Sequence, residues 1–226
     1  MTEPSAPDAR PEVWVNCAAS ADGRIAFAGG ARARLSSPED RVRVQKMRAE
    51  VDGILVGVGT VVLDDPSLRV NWELLGRAPG REPTRIIVDG SGRIPATARV
   101  LDGSSPTIVL TTESTRRRYP PHVRTIEAGT GRVDLAIAFA RLREMGIRRL
   151  MIEGGAEILA SVLGEGRFDR LTVYYAPVLI GAETAPPIVA GPAASSFEAV
   201  RRLELAGLER LGEGYAATYV PRRPGS

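Results

Sequence analysis

The feature that most constrains the fold is a glycine pair between two apolar segments. Residues 150–152 are typical of a buried strand and residues 158–163 of a helix, with Gly154 and Gly155 between them. Glycines at such a junction let backbone N–H groups approach a ligand, and a helix N-terminus favours anions. Glu153, one residue before the pair, is expected at the carboxyl end of the strand, where open α/β sheets hold ligands. A simple tight turn that needs a positive φ is the alternative.

A second glycine motif follows another apolar segment. Residues 52–60 predict a buried strand that ends in a Gly-x-Gly turn, and Thr60 then offers a hydroxyl to a phosphate or an amide. A short helical turn is expected at residues 61–63, because Pro66 disfavours helix at the residue before it. Val62 stands where the six-residue dinucleotide fingerprint has its third glycine, so an ordinary Rossmann domain is not predicted.

The remaining segments alternate between strand and helix patterns. A helix capped by Ser36 or Ser37, with a proline next in the chain, should run to residue 50. Apolar positions along residues 132–145 predict another helix, with a glycine at its end. Further strands are predicted at residues 13–18, 84–89, 107–111, 123–126, 170–180, 201–208 and 215–220. The last three have no convincing helix between them, so an α/β body with a β-rich C-terminal part is expected.

The chain is predicted to fold as a single domain over residues 12–220. Residues 1–11 contain three prolines and few apolar side chains, so we expect a disordered leader. Residues 221–226 follow the last strand pattern and are expected to form a loose tail. At 226 residues, the chain is long enough to bury a substantial core.

Two residue counts exclude much of the chemistry that enzymes use. Cys17 is the only cysteine and His122 is the only histidine. An intrachain disulfide, a multi-cysteine zinc site and a histidine-rich metal centre are therefore excluded within one chain, and no metal is predicted. A Ser-His-Asp triad would have to use His122, which follows two prolines in a predicted loop, so we do not expect one.

The charge pattern argues against a nucleic-acid partner, and the short apolar runs argue against a membrane partner. The net charge is +3, and the run Arg116-Arg117-Arg118 has no interleaved aromatic side chains, which favours a solvated surface over nucleic-acid binding. No apolar run approaches the roughly 18 residues of a membrane helix, and the N-terminus lacks a signal-peptide pattern. We therefore expect no membrane partner and a cytoplasmic location.

Four motifs occur in one order along the chain. They are Ser20-x-Asp22-Gly23-Arg24, Met47-Arg48-Ala49-x-x-Asp52-Gly53-Ile54, Gly59-Thr60-Val61-x-x-Asp64-Asp65-Pro66-x-Leu68 and Glu153-Gly154-Gly155-Ala156. This order resembles the pyrimidine reductases of riboflavin biosynthesis, and the resemblance spans residues 13–220. It implies a dihydrofolate-reductase-like fold with a mixed, mostly parallel central sheet flanked by helices. It also implies NADPH as cofactor, with NADH as an alternative, and a homodimer.

The resemblance assigns roles to individual residues. The implied cofactor-binding residues are Ala18, Thr60, Asp64, Ser91, Gly154, Gly155, Ala156 and Glu157. The implied substrate-binding residues are Arg48, Leu68, Asn71 and Glu153, and the implied catalytic residues are Glu153 and Arg24. Arg93 could assist Ser91 at the adenosine 2′-phosphate, because a guanidinium pairs well with a phosphate. The resemblance also predicts a cis peptide between the two glycines of the pair.

The chain departs from the family pattern at two positions. Arg24 stands where many relatives have a lysine proposed as proton donor, and an arginine that stays protonated is a poor general acid. Water or Glu153 is then the expected proton source. Asn71 stands where bacterial relatives tend to have a phosphate-binding arginine. We therefore expect Arg69 or Arg32 to bind the substrate phosphate instead, with Arg48 a further candidate. A surface ion pair is the alternative role for Arg24 and Arg32.

The predicted reaction is reduction of a ribosyl group to ribityl. A zinc-deaminase signature needs a histidine and two spaced cysteines, which this sequence lacks. By analogy with the family, the resemblance then implies a stand-alone reductase that acts before deamination, on 2,5-diamino-6-ribosylamino-4(3H)-pyrimidinone 5′-phosphate. Its deaminated analogue, 5-amino-6-ribosylaminouracil 5′-phosphate, is the alternative substrate. A sister reductase of the same fold and a basic nucleotide- or RNA-binding module are the other hypotheses. The segment from Leu171 onward is the expected dimer contact.

Overall fold

The computed structural model describes residues 10–190, 195–197 and 200–222. Most of the predicted leader and tail therefore lies outside the described residues. The strands are β1 (Glu12–Ser20), β2 (Gly53–Gly57), β3 (Thr84–Val88), β4 (Thr107–Thr111), β5 (Val123–Glu127), β6 (Arg149–Gly154), β7 (Arg170–Ala176), β8 (Leu203–Leu211) and β9 (Gly214–Pro221). They form one nine-stranded sheet in the order β5-β4-β3-β2-β6-β1-β7-β9-β8.

The sheet is mostly parallel. Strands β1 to β7 all pair in parallel, and only the hairpin of β8 and β9 is antiparallel to its neighbours. Parallel strands need crossover connections, which this chain makes with helices and long loops. The α/β class, the mixed and mostly parallel sheet and the β-rich C-terminal part are confirmed.

Four α-helices accompany the strands of the described region. They are α1 (Pro38–Glu50), α2 (Val58–Asp64), α3 (Leu135–Glu144) and α4 (Ala156–Glu165). Ser37, not Ser36, caps α1: its side chain accepts a hydrogen bond from the Asp40 N–H at 3.1 Å. The prediction for residues 132–145 began too early, because the Asp134 carboxylate accepts from two N–H groups and fixes the start of α3. Helix α2 begins at Val58, three residues before its predicted start.

Alternating side chains of the central strands fill two hydrophobic clusters. Val13 and Val15 of β1 belong to one cluster, which also contains Phe139 of α3 and Leu159 of α4. Trp14, between those two valines, belongs to the other cluster. Alternation along a strand sends successive side chains to opposite faces, so the sheet is covered on both sides.

The C-terminal hairpin differs from this buried body. Along β8 every residue except Leu211 is exposed, including Leu205 at 55% and Leu208 at 65%. Strand β8 lies at the edge of the sheet, so it has a neighbour on one side only. Among the described residues, no helix combines the length and the apolar character that crossing a membrane requires.

Candidate active site

A cavity of about 2080 Å³ runs along the carboxyl ends of the parallel strands. Its wall includes Ala18 near the end of β1, Gly57 at the end of β2, Val88 at the end of β3 and Glu153 near the end of β6. Ligands of open α/β sheets bind at this edge, where the loops after each strand converge. The cavity is therefore the candidate active site.

The glycine pair forms a turn in the cavity wall. Gly154 and Gly155 have φ values of 144° and 85°, which side chains rarely permit. A Cβ on Gly155 would lie 3.4 Å from the backbone N and Cα of Gly57, so the two loops touch through their backbones. Gly155 caps α4 without any side-chain hydrogen bond, and the first N–H groups of a helix have no intrahelical partner. The predicted cis peptide is wrong: the Gly154–Gly155 bond is trans, because positive φ angles at both glycines make the turn without it.

All the residues expected to bind a cofactor line this one cavity. They are Ala18, Thr60, Asp64, Ser91, Gly154, Gly155, Ala156 and Glu157. Asp64 lies 3.8 Å from the Arg32 guanidinium, measured from Oδ1 to Nε. The structure therefore brings β1, α2, the loop after β3 and the β6–α4 turn to one surface.

A buried carboxylate fixes the loop that carries Ser91. Asp89 is fully buried and accepts hydrogen bonds from the backbone N–H groups of Arg93 at 2.8 Å and Ile94 at 3.0 Å. The Tyr119 hydroxyl donates to the same carboxylate at 2.7 Å, and burial together with this bond raises the pKa of Tyr119. Arg93 Nε in turn donates to Ser91 Oγ at 2.8 Å. Asp89 was not recognised in the sequence, where it is only the last residue of a predicted strand.

Arg48 and Glu153 form a bidentate ion pair beside the glycine turn. Arg48 Nε donates to Oε1 at 2.7 Å and Nη2 to Oε2 at 2.5 Å, and both side chains are largely buried. Burial alone favours the neutral form of Arg48, but the charge and hydrogen bonds of Glu153 outweigh it and raise the pKa of the guanidinium. Arg48 Nη1 donates to the Arg69 carbonyl at 2.8 Å. Both residues were expected at the site, but their pairing was not.

Three residues with predicted roles lie elsewhere or are otherwise engaged. Arg24 does not line the cavity, because its Nη1 donates to the Ala185 carbonyl at 2.9 Å. Leu68 does not line it either, because its side chain is buried in the hydrophobic cluster around Trp14. Arg69 lies 3.6 Å from Glu82 and is also outside the cavity wall. The expected roles of Arg24 and Leu68 as side-chain contacts are therefore not supported by their positions.

Asn71 and Arg32 do line the cavity. The Asn71 N–H donates to Gln45 Oε1 at 2.8 Å, and its own Oδ1 accepts from the Leu74 N–H at 2.9 Å. The loop that carries Asn71 is therefore held against helix α1. Among the residues that the structure describes, no group of three or more His, Cys, Asp or Glu side chains is placed to hold a metal ion.

The fold is dihydrofolate-reductase-like, with its cavity at the strand ends. Within that class, the chain belongs to the family of the RibD C-terminal domain, which matches residues 11–217. The motif-based resemblance, which named this family and covered nearly the same residues, is confirmed.

Two stand-alone relatives match almost end to end. The chain is 36% identical to the 2,5-diamino-6-ribosylamino-4(3H)-pyrimidinone 5′-phosphate reductase of Archaeoglobus fulgidus, over 92% of this chain and 97% of that one. It is 39% identical to the reductase of the same name from Methanothermobacter thermautotrophicus, over 93% and 98%. Both relatives are named as reductases, so the class predicted for this chain, an oxidoreductase of riboflavin biosynthesis, is confirmed.

Solved structures of the family share the fold. The Thermotoga maritima diaminohydroxyphosphoribosylaminopyrimidine deaminase/5-amino-6-(5-phosphoribosylamino)uracil reductase gives a TM-score of 0.81 at 26% identity. The match covers 94% of this chain but only 57% of the Thermotoga chain. The riboflavin biosynthesis reductase Rib7 of Saccharomyces cerevisiae has the same fold, with a TM-score of 0.74 at 23% identity over 98% of this chain.

Proposed function

We propose that this protein reduces the ribosyl group of 2,5-diamino-6-ribosylamino-4(3H)-pyrimidinone 5′-phosphate to ribityl, with NADPH as the reductant. The observation that carries the proposal is that a single cavity contains both the expected cofactor residues and the Arg48–Glu153 pair. The names of the two archaeal relatives, which match over more than 90% of each chain, support this substrate. Reduction of the deaminated uracil analogue is the second candidate, since the Thermotoga protein is named for it.

The cavity fits a dinucleotide phosphate. The bare backbone of Gly155 lets its loop pack against Gly57, and no side chain caps the N–H groups at the start of α4. That helix N-terminus suits a pyrophosphate. Ser91 and Arg93 offer a hydroxyl and a guanidinium to the 2′-phosphate, which distinguishes NADPH from NADH. When bound, NADPH supplies the hydride that reduces the sugar.

The side chains of this protein supply position rather than covalent chemistry. Arg48 holds both carboxylate oxygens of Glu153, so the carboxylate has a fixed orientation. Each oxygen keeps a further lone pair that can accept a hydrogen bond from a ribose hydroxyl. Such positioning of a reacting group contributes a large part of enzymatic rate enhancement. The proton for the sugar oxygen comes from water, because the ion-paired carboxylate of Glu153 has no proton to donate and Arg24 does not line the cavity.

The test is NADPH oxidation followed by absorbance with the diamino compound and its uracil analogue side by side. We expect a higher kcat/KM for the diamino compound than for the uracil analogue. Each assay is repeated with NADH to measure cofactor preference. A higher kcat/KM for the uracil analogue would favour the second candidate. If neither compound is turned over while NADPH still binds, the protein has a different substrate.

We also propose that the protein is a homodimer joined through the C-terminal hairpin. Leu205 and Leu208 are exposed on an edge strand, and exposed apolar side chains beside unpaired backbone groups are typical of an interface. Sedimentation equilibrium should give a dimer for the wild type and a monomer for Leu208→Glu. Glu209→Gln, a change at the next residue of the same strand, should stay dimeric. A monomeric wild type at micromolar concentration would contradict the proposal.

A further inference from the structure

The phosphate of the proposed substrate needs a cation whose charge is not already matched. Arg48 uses Nε, Nη1 and Nη2 in hydrogen bonds to Glu153 and to the Arg69 carbonyl. Arg69 itself lies outside the cavity wall and beside Glu82. Arg32 lines the cavity but faces Asp64 at 3.8 Å. The three arginines considered from the sequence are therefore matched by carboxylates.

Helix α1 presents another arginine to the same cavity. Arg41, Gln45 and Arg48 all line it, and their spacing of four and three residues places them on one face of the helix. Gln45 accepts the hydrogen bond from the Asn71 N–H, so the Asn71 loop packs against the middle of this face. Arg41 is one turn away from Gln45, a rise of about 6 Å along the helix.

The Arg41 guanidinium forms no ion pair with a carboxylate among the described residues. Its hydrogen bond there is from Nη1 to the Ser36 carbonyl at 3.2 Å, which leaves most of its donors free. The charge of Arg41 contributes to the lowered pKa of Glu39, but its effect is smaller than those of the Glu39 N–H and the Ser37 side chain. Arg41 is exposed to the cavity, while its partner on the same face, Arg48, is largely buried.

We propose that Arg41 binds the 5′-phosphate of the substrate and makes the enzyme prefer the phosphorylated compound. Arg48 then orients Glu153, and the two arginines of one helix face have separate tasks. This inference rests on the proposed function, because it assumes a phosphorylated ribosyl substrate in the cavity. Arg34, which also lines the cavity, is the rival for the same task.

The experiment compares KM for the phosphorylated substrate and its dephosphorylated nucleoside at saturating NADPH. Arg41→Gln should raise KM for the phosphorylated compound about 10-fold, the usual effect of losing one charged hydrogen bond. Its KM for the nucleoside and its kcat should stay at the wild-type values. Arg41→Lys should restore part of the affinity, because a lysine keeps the charge but not the planar fork.

Lys46→Gln is the matched control. It removes one positive charge from the same helix at an exposed position outside the cavity wall, so both KM values should be unchanged. An unchanged ratio of the two KM values in Arg41→Gln, an equal change in Lys46→Gln, or an effect of Arg34→Gln alone would overturn the inference. A wild type that turns over neither compound would overturn the proposed function instead, and this inference with it.

Discussion

The two parts of the cavity are built in different ways. The proposed cofactor part, which includes Gly154–Glu157 with Ser91 and Arg93, depends on backbone geometry at the glycine turn. The proposed substrate part, which includes Arg48, Glu153 and Asn71, depends on side chains that meet from distant segments. A surface made of glycine backbone is disrupted by a substitution that adds a side chain, whereas an ion pair is disrupted by a substitution that removes a charge. The two parts should therefore respond to different substitutions and lose different steps of the reaction.

The largest effect is expected from Glu153→Gln. This change leaves the largely buried guanidinium of Arg48 without its counter-charge and removes the fixed carboxylate. Loss of the positioned group should lower kcat about 100-fold or more. NADPH affinity should be unchanged, because the cofactor part keeps its backbone. Steady-state kinetics and a fluorescence titration with NADPH measure the two quantities.

The surface pair of Arg141 and Glu144 provides the control for this variant. Both side chains are more than half exposed and the pair spans 3.2 Å, so Glu144→Gln should change neither kcat nor NADPH affinity. Wild-type kinetics in Glu153→Gln would remove that residue from the site. A parallel loss of NADPH binding would show that the two parts are not independent.

The cofactor part should respond most strongly to Gly155→Ala. The residue has φ 85° and ψ 110°, a conformation that costs an alanine about 1–3 kcal/mol. The new Cβ would also lie 3.4 Å from the Gly57 backbone. We expect the Kd for NADPH to rise about 10-fold, which corresponds to about 1.4 kcal/mol. Substrate saturation measured at high NADPH should be unaffected.

A second glycine, within helix α4, shows whether any glycine-to-alanine change in this region weakens NADPH binding. Gly164 lies in α4, where an added Cβ would meet no atom within 4 Å, and a helical glycine replaced by alanine gains about 1 kcal/mol of stability. Gly164→Ala should therefore raise the melting temperature and leave NADPH binding unchanged. Equal weakening of NADPH binding by both substitutions would contradict the special role of the turn.

The same contrast explains how much of the site could be predicted. The glycine pair and the strand before it are neighbours in the sequence, so a local pattern was sufficient to predict the turn. Arg48 and Glu153 are 105 residues apart, and their pairing depends on how β6 lies beside α1. Motif resemblance placed both at the site, but it carries no information on which donor meets which acceptor.

Side-chain direction is a second property that the motifs do not carry. Leu68 belongs to a matching motif, yet its backbone has φ 49° and its side chain enters the core. Arg85 lies in an apolar strand and is fully buried, held by Thr107 at 2.9 Å and Asp102 at 2.8 Å. No local pattern distinguishes such an arginine from an exposed one, because its partners come from later segments, the start of β4 and the loop before it.

A smaller effect should come from Arg93→Gln, which tests the cofactor part by removing charge. If Arg93 and Ser91 bind the 2′-phosphate, KM for NADPH should rise about 10-fold, as for one charged hydrogen bond. KM for NADH, which lacks that phosphate, should be unchanged. Arg116→Gln, at an exposed residue outside the cavity wall, is the control. An equal rise for NADPH and NADH would assign Arg93 a structural role.

The smallest effect is expected at Cys17, which lines the cavity but belongs to neither part. Burial raises the pKa of its thiol to about 12, and the nearby charge of Arg43 only partly opposes this. About 10⁻⁴ of the thiol is then ionised at pH 8, and the thiolate is the reactive form. Iodoacetamide should label Cys17 slowly in the native protein and rapidly after unfolding, as mass spectrometry can follow. Cys17→Ala should keep wild-type kinetics with both ligands. Rapid native labelling that NADPH blocks would place the thiol against the cofactor, beside Ala18 of the same strand.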